Sequence, residues 1–296
     1  MNIEKPIEIL VRRRAALGDV IYTTGVVREL KRKYGVNANI TVWTEYTDVF
    51  RNNPHVAWVV STYDELPIPA YDIYINLDDC YENNPCNHYL DSYFYRAFGD
   101  NNLLRDPELF PSDKDRQEVD NDLEYIGDKF IAVHMRRWHW ELKNIKQEVW
   151  FDIFTKIFEQ TADYKIVFVG GDSDHAVEHP LMVNTCGRYN PQELKYLLDH
   201  AACFVGIDSG PYAIATASRA PVVALLSHML PATIMPVRQN VMGYNSLVVQ
   251  ADLPCVGCYE RQERPVSRIV CERGDYACNK TWNTDKIVQA ITNYLK

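Results

Sequence analysis

VRRRAALGDVIYTTGVVRELKRKYG, residues 11–35, joins the end of an apolar run to an amphipathic segment through a short Ala-Ala-Leu-Gly link. With the residues before it, IEILVRRR reads as a strand, and Asp19 to Tyr34 reads as a helix that Gly35 closes at its C′ position. Gly18 reads as the residue that lets the chain turn sharply between the two. Asp19 then stands where strand hands over to helix, a position from which a carboxylate can cap the helix or move a proton. Arg12, Arg13 and Arg14 alternate between the two faces of their strand, so only some of them can meet a phosphate. A second basic cluster, Arg28, Lys31, Arg32 and Lys33, falls at the helix C-terminus, where cations favour the macrodipole and need no ligand.

The same alternation continues outward. NITVWT, VAWVVST and YDIYINLD are short runs rich in Val, Ile, Trp and Tyr, as strands prefer, and HYLDSYFYRAFG is helix-like and ends on Gly99. The polar stretch DNNLLRDPELFPSDKDRQ, residues 100–117, reads as an inter-domain linker. Beyond it KFIAVHM, KIVFVGG, CFVGID, PVVALL and SLVVQA are near-continuous apolar runs, the pattern of parallel strands buried on both faces. NPQELKYLLDHA is a helix with Asn190 at the N-cap and Pro191 at N1. NTDKIVQAITNYLK is an amphipathic terminal helix, expected to pack back across the cleft. Two successive strand–helix series imply an α/β chain of two doubly wound domains, 1–112 and 113–280, followed by a helix at 281–296. Ligands of such folds lie at the carboxyl ends of the strands, so the cleft between the domains is the place for a site.

With 296 residues, 47% of them hydrophobic, the chain can build one large core or two ordinary ones. A net charge of −9 argues against a nucleic-acid coat or a polybasic membrane anchor. No apolar run approaches the roughly 20 residues of a membrane span. MNIEKPIEIL has no signal-peptide pattern, so a soluble cytoplasmic protein is expected. Eight cysteines in such a chain pack, react or bind metal rather than form disulfides.

DSGP, residues 208–211, follows a buried strand and precedes a helix, so its backbone N–H groups and the helix dipole offer an anion site. Gly210 permits close approach of a ligand and Pro211 suits N1, while a plain cap by Asp208 or Ser209 is the competing reading. VGGD, residues 169–172, again puts glycines at a strand end.

LGDVIYTTGVVRELKRKYG (17–35) and VGIDSGPYAIATASRAPVVALL (205–226) resemble the two signatures of glycosyltransferase family nine, the bacterial heptosyltransferase family. VHMRRWHWELKNIKQEVWFDIF and VFVGGDSDH resemble its middle blocks more loosely. The resemblance implies a GT-B architecture, with two Rossmann-like domains facing a cleft. It implies transfer of a heptose-like sugar from a nucleotide-diphosphate sugar, ADP-linked, to an acceptor hydroxyl of a glycolipid or lipopolysaccharide-type glycan. Inversion, Asp19 as general base and no cofactor for catalysis belong to the same expectation. The implied donor contacts are Gly18, His134, Lys143, Gly170, Gly171, Asp208, Ser209, Gly210 and Pro211, with Arg14, Arg136 and Arg137 as further phosphate ligands. Lys146 competes with Lys143, because Ile145 stands where the family has Trp, and Ala213 replaces a frequent His. A glycolipid acceptor would bring peripheral membrane association. Protein or modified DNA, as phage-type enzymes use, is the alternative acceptor, the negative charge counting against nucleic acid. A catalytically inactive nucleotide-sugar binder is a third reading.

Cys255, Cys258, Cys271 and Cys278 have the spacing C-x2-C-x12-C-x6-C, which can wrap one tetrahedral ion, zinc or iron, or can simply pack as reduced thiols. Cysteines recur in this region of the family, and some protein-modifying members carry a cysteine-bound iron. Cys203, at a strand start, reads as core. The Tyr-rich stretches from TVWTEY to YFYRAF read as aromatic core or as the lining of an acceptor groove.

Overall fold

The structure, a computed structural model, describes residues 5–67, 70–83, 87–100, 102–137, 141–239, 246–262 and 270–295. The first half comprises β1 (Ile7–Arg12), α1 (Leu17–Tyr34), β2 (Ala38–Trp43), β3 (Trp58–Val60), β4 (Ile73–Asn76) and α2 (Tyr89–Phe98). Its four strands form a parallel sheet in the order β3-β2-β1-β4. The second half begins with α3 (Asp113–Ile126), β5 (Phe130–His134), α4 (Gln147–Gln160), β6 (Lys165–Phe168), β7 (Met182–Asn184) and α5 (Pro191–Asp199). It continues with β8 (Cys203–Ile207), α6 (Gly210–Thr216), β9 (Val222–Leu226), α7 (Pro231–Ile234), β10 (Ser246–Gln250), α8 (Cys258–Arg261) and α9 (Thr284–Thr292). These six strands form a second parallel sheet, ordered β10-β9-β8-β5-β6-β7. The two sheets are the expected α/β, GT-B arrangement.

Alternation explains the first sheet. Ile9 and Val11 of β1 pair in register with Ile40 and Val42 of β2, and all four are fully buried in the core that α1 covers. The second sheet has apolar residues on both faces, and β5, β8 and β9 are buried along their whole length. In each sheet the strand order reverses direction, at β1 in the first and between β5 and β8 in the second. The carboxyl ends at these switch points open on the cleft.

Three local expectations shift. Helix α1 begins at Leu17, so Gly18 lies inside its first turn rather than bending the chain. A Cβ on Gly18 would come 3.4 Å from the Ser209 carbonyl oxygen and 3.6 Å from the Ala213 Cβ, and one on Gly210 would meet Leu17 Cδ2 at 2.7 Å. Gly210 therefore lets Leu17 of α1 pack close over the head of α6, while a methyl group at Gly18 would meet only ordinary contact. Ala213 is buried in that crossing, which gives the absent His a packing reason. Helix α3 starts inside the stretch read as linker, because Ser112 and Asp115 form a capping box and Val119 and Ile126 supply a buried face. Helix α9 does not return across the cleft: its apolar residues, Ile287, Val288, Ala290 and Ile291, pack against α4, β9 and β10.

Buried polar contacts join the halves. The Gln192 side-chain amide donates to the Asp48 and Val49 carbonyls at 3.1 and 3.0 Å, and the Arg51 guanidinium meets the Asp115 carboxylate at 2.5 Å.

Candidate active site

A cavity of about 280 Å³ lies between the sheets, at the heads of α1 and α6. From the first half it is lined by Gly18, Asp19 and the rings of Tyr46, Tyr81 and Tyr89. From the second half come His134, Arg136, Arg137, Lys143, Gly171, Asp174 and the turn Asp208–Pro211. Residues more than 180 positions apart in sequence thus share one wall-to-wall space. Gly170 sits one residue behind the lining, and Arg14 turns away to bond Glu45 at 2.6 Å.

Asp19 occupies the N3 position of α1 and does cap it, since Oδ2 accepts the Ala16 N–H at 3.1 Å. The same oxygen meets Arg13 Nη2 at 2.9 Å, and Oδ1 accepts a longer bond from the Tyr93 hydroxyl at 3.3 Å. Arg13 is buried and is itself fixed by the Leu77 carbonyl and by Glu82. Burial works against its charge, but Tyr93, Asp19, Tyr81 and Glu82 outweigh it and hold the guanidinium above its ordinary value. Of the three arginines, the one turned toward the carboxylate is therefore Arg13, on the strand face opposite to Arg12 and Arg14. Burial raises the Glu82 carboxyl, against the opposing effect of Arg13.

His134 ends β5 and is buried. Its Nε2 lies 3.0 Å from Asp174 Oδ2 and its Nδ1 3.0 Å from Ser209 Oγ. Burial lowers its pKa despite Asp174, and Arg136 lowers it further. Burial would raise Asp174, but the hydrogen bond and charge of His134 and the N–H groups of Arg137 and Gly171 bring it down to about 2. No local pattern in the sequence marks Asp174 for this place. Gly170 makes its position possible: φ is +150°, and a Cβ there would lie 2.4 Å from Asp174 Oδ2 and 2.9 Å from the His134 ring.

Lys143 closes a 3-10 turn, Glu141–Lys143, and reaches Asp208 Oδ2 at 2.5 Å. Burial opposes ionisation of Asp208, but Lys143, Arg136 and His228 outweigh it and lower its pKa. Arg136 donates to the Asp208 main-chain oxygen at 3.1 Å, and its own pKa is lowered by burial. Lys146 caps α4 and sits 3.7 Å from Glu141, half-exposed and outside the cavity. Ser209 caps α6, its Oγ accepting the Tyr212 N–H.

His228 lies behind Lys143 and is buried. Ser227 Oγ donates to the Leu142 carbonyl at 2.6 Å, so it accepts from His228 Nδ1 at 3.1 Å. That leaves Nε2 as an unprotonated acceptor, buried and without a partner among the described residues. Burial first, with Lys143 and Arg136 adding to it, brings this imidazole down to about 3.

The cysteines at 255, 258, 271 and 278 all line one small pocket, together with Leu142 and Ser227. Burial and then Glu272 push Cys258 up to about 11, and burial with the neighbouring sulfurs pushes Cys278 up to about 12. Among the described residues no set of three or more His, Cys, Asp or Glu side chains stands in a metal-holding arrangement. The donor chemistry nevertheless suits a thiolate-binding ion, which would reverse those upward shifts. Cys203 is buried core, as expected, with its thiol raised to about 12.

The family model for glycosyltransferase family 9 (heptosyltransferase) matches residues 94–264. The chain belongs to this family. It is a glycosyltransferase. A glycosyltransferase family 9 protein of Veillonella parvula has the same fold at 16% identity, covering 99% of this chain and 98% of that one, with a TM-score of 0.74. The E. coli ADP-heptose lipopolysaccharide heptosyltransferase II is 16% identical over 82% of this chain and 90% of its own, at a TM-score of 0.63. The iron-containing dodecameric glycosyltransferase TibC of enterotoxigenic E. coli is 15% identical over 99% and 79%, at 0.72, and has also been solved with ADP-D-β-D-heptose. No curated protein matches the sequence. Among the described residues no helix is long and apolar enough to cross a membrane.

Proposed function

We propose that this enzyme transfers a heptose-like sugar from an ADP-linked donor to a hydroxyl of a lipopolysaccharide-type glycan, with inversion at the anomeric carbon. The single observation that carries the reading is the shared cavity, which sets Asp19 from α1 opposite Lys143 and the Asp208–Pro211 turn from the second sheet. Residues 1–112 would hold the acceptor and residues 113–280 the donor. ADP-heptose ligands of related structures favour that donor, and with it the cytoplasm as the working compartment and a membrane-peripheral acceptor.

In this mechanism the diphosphate lies over the Asp208–Pro211 turn, within reach of Lys143, Arg136 and Arg137. Lys143 exchanges its bond to Asp208 for the phosphate oxygens as negative charge builds on the leaving group, a point charge aimed where it is needed. Asp19 accepts the proton of the acceptor hydroxyl as that oxygen attacks the anomeric carbon from the opposite side. Arg13 and Tyr93 fix the carboxylate's orientation. His134, held between Ser209 and Asp174, braces the donor turn. We further propose that Cys255, Cys258, Cys271 and Cys278 hold a structural ion, zinc or iron. Such an ion would tie the α8 loop to the turn bearing Lys143, through Ser227 and Leu142. Metal analysis of protein purified without added ions gives about one equivalent on this reading; none would refute it.

The function is tested by thermal shift against a panel of nucleotide-sugars, followed by transfer assays offering core oligosaccharide, protein and duplex DNA acceptors. Stabilisation by an ADP-sugar and transfer to the oligosaccharide are expected. Transfer to protein or DNA alone would reassign the acceptor, and donor binding with no transfer to any acceptor would mark an inactive binder.

A further inference from the structure

The first sheet has a second concave surface, on the face turned away from α1. Register places Leu10 and Arg12 of β1, Trp43 of β2, Trp58 of β3 and Tyr74 of β4 on that face, with Ile9, Val11, Val42 and Ile75 on the opposite one. Among the described residues between β3 and β4 is a 3-10 turn, Tyr63–Glu65, and a groove of about 770 Å³ lies here. Arg12, Trp43, Tyr63, Asp64, Tyr71 and Tyr74 line it.

Two rings that line the groove are left to solvent, Tyr63 at 67% and Tyr74 at 53% exposure, and Trp58, at 57%, lies on the same sheet face as Tyr74. Grouped exposed apolar surface of this kind marks a binding site rather than ordinary surface. The polar groups are arranged among the rings. The Arg12 guanidinium lies 4.5 Å over the Trp43 ring and pairs with Asp78 at 2.9 Å. Trp43 and Tyr63 tilt toward each other at 5.8 Å. The Tyr71 hydroxyl is buried beneath this surface with no partner among the described residues.

We propose that this groove binds the remote sugar rings of an oligosaccharide acceptor. A pyranose presents C–H patches on its faces and hydroxyls around its rim, and flat rings edged by Arg12, Asp64 and tyrosine hydroxyls complement both. A lipid surface would ask for aliphatic side chains and a cationic rim, whereas this rim carries Asp64, and its one cation, Arg12, is already paired with Asp78. The groove and the cleft draw on neighbouring residues of the same two segments. Arg12 is the last residue of β1, its neighbour Arg13 holds Asp19 from the other face, and Tyr46, three residues beyond Trp43, lines the catalytic cavity. On this proposal a glycan whose terminal hydroxyl meets Asp19 runs past Tyr46 toward the groove. This inference rests on the glycan-acceptor reading above and makes it a reading of chain length: several rings, not one, are recognised.

Binding is measured without any donor, so the result does not depend on transfer. The full chain is titrated calorimetrically with lipid-free lipopolysaccharide core oligosaccharide, maltohexaose, and the terminal monosaccharide of each. Wild type binds one oligosaccharide, and at least about ten-fold more tightly than its monosaccharide. Tyr63→Ala/Tyr74→Ala loses about ten-fold in affinity for the oligosaccharide, while Tyr95→Ala, an equally exposed ring on α2, retains it. Unchanged melting temperatures show that the variants are folded. Equal oligosaccharide affinity in wild type and the double variant overturns the groove, as does binding of no oligosaccharide in the panel. Concentration-dependent self-association abolished by the same substitutions would also overturn it, by making the face an interface between copies. Failure of the function reading shows separately, as absence of stabilisation by any nucleotide-sugar.

Discussion

Asp19 and Asp208 occupy matching places in the two halves. Each follows a parallel strand, stands at the head of a helix and faces the same cavity, and their side chains are almost equally shielded, at 13% and 12% exposure. Burial therefore does not distinguish them; their partners do. Asp19 is clamped by a guanidinium, a backbone N–H and a tyrosine hydroxyl, groups fixed by the fold of its own half. Asp208 is held by the end of one long lysine, whose other natural partner is an anion in the cavity. A carboxylate locked in orientation suits proton transfer, and one paired with an exchangeable cation suits storing that cation between turnovers.

If this contrast is right, the two sites should break differently. Asp19→Asn keeps the cap and the volume but removes the base, so kcat falls by about 10²–10⁴-fold while the donor Kd, measured by calorimetry, stays within about two-fold. Lys143→Met strands the buried Asp208 charge and removes a cation from the leaving group. Its kcat drops about 100-fold and urea melts show a loss of about 3 kcal/mol. Lys143→Met/Asp208→Asn then recovers the stability but not the rate, a separation that a purely structural ion pair would not give.

The glycines sharpen the comparison at lower cost. Gly170→Ala drives a methyl group into Asp174 and His134 at a positive φ and loses about 2 kcal/mol. Gly18→Ala meets only ordinary van der Waals contact and stays within about 1 kcal/mol of wild type. In pH, His228 adds a signature from the second half. Its folded pKa of about 3 lies below the unfolded 6.5, so the unfolded chain takes up the proton first. The stability it contributes is complete above 6.5 and is lost as pH falls through that window toward 3. Between pH 6.5 and about 5 this amounts to about 2 kcal/mol, and His228→Gln flattens the slope in urea melts.

Much of this was legible in the sequence because parallel strands announce themselves as apolar runs and strand–helix turns carry glycine, aspartate and proline. Gly18, Asp19, His134, Lys143 and Asp208–Pro211 could all be named, and all face one cavity. Partnership across the fold was not legible. Nothing in VRRR says which arginine turns to Asp19, because the strand face is decided by the register of β1 against β2 and β4. Asp174 looked like one more loop acid until Gly170 allowed it against His134. His228 has no local pattern; its role follows from Ser227 reaching Leu142, 85 residues away in sequence. The start of α3 within the apparent linker was readable in principle, from Ser112 followed by Asp115, but the surrounding Asp, Asn and Pro masked it.

Asp19 as the base in a direct displacement makes one demand that no binding role shares: the product must carry the opposite anomeric configuration to the donor. Proton NMR of the first product formed by the wild-type enzyme from an ADP-sugar of defined configuration reads this directly. The account predicts a single inverted anomer; a retained configuration would contradict it.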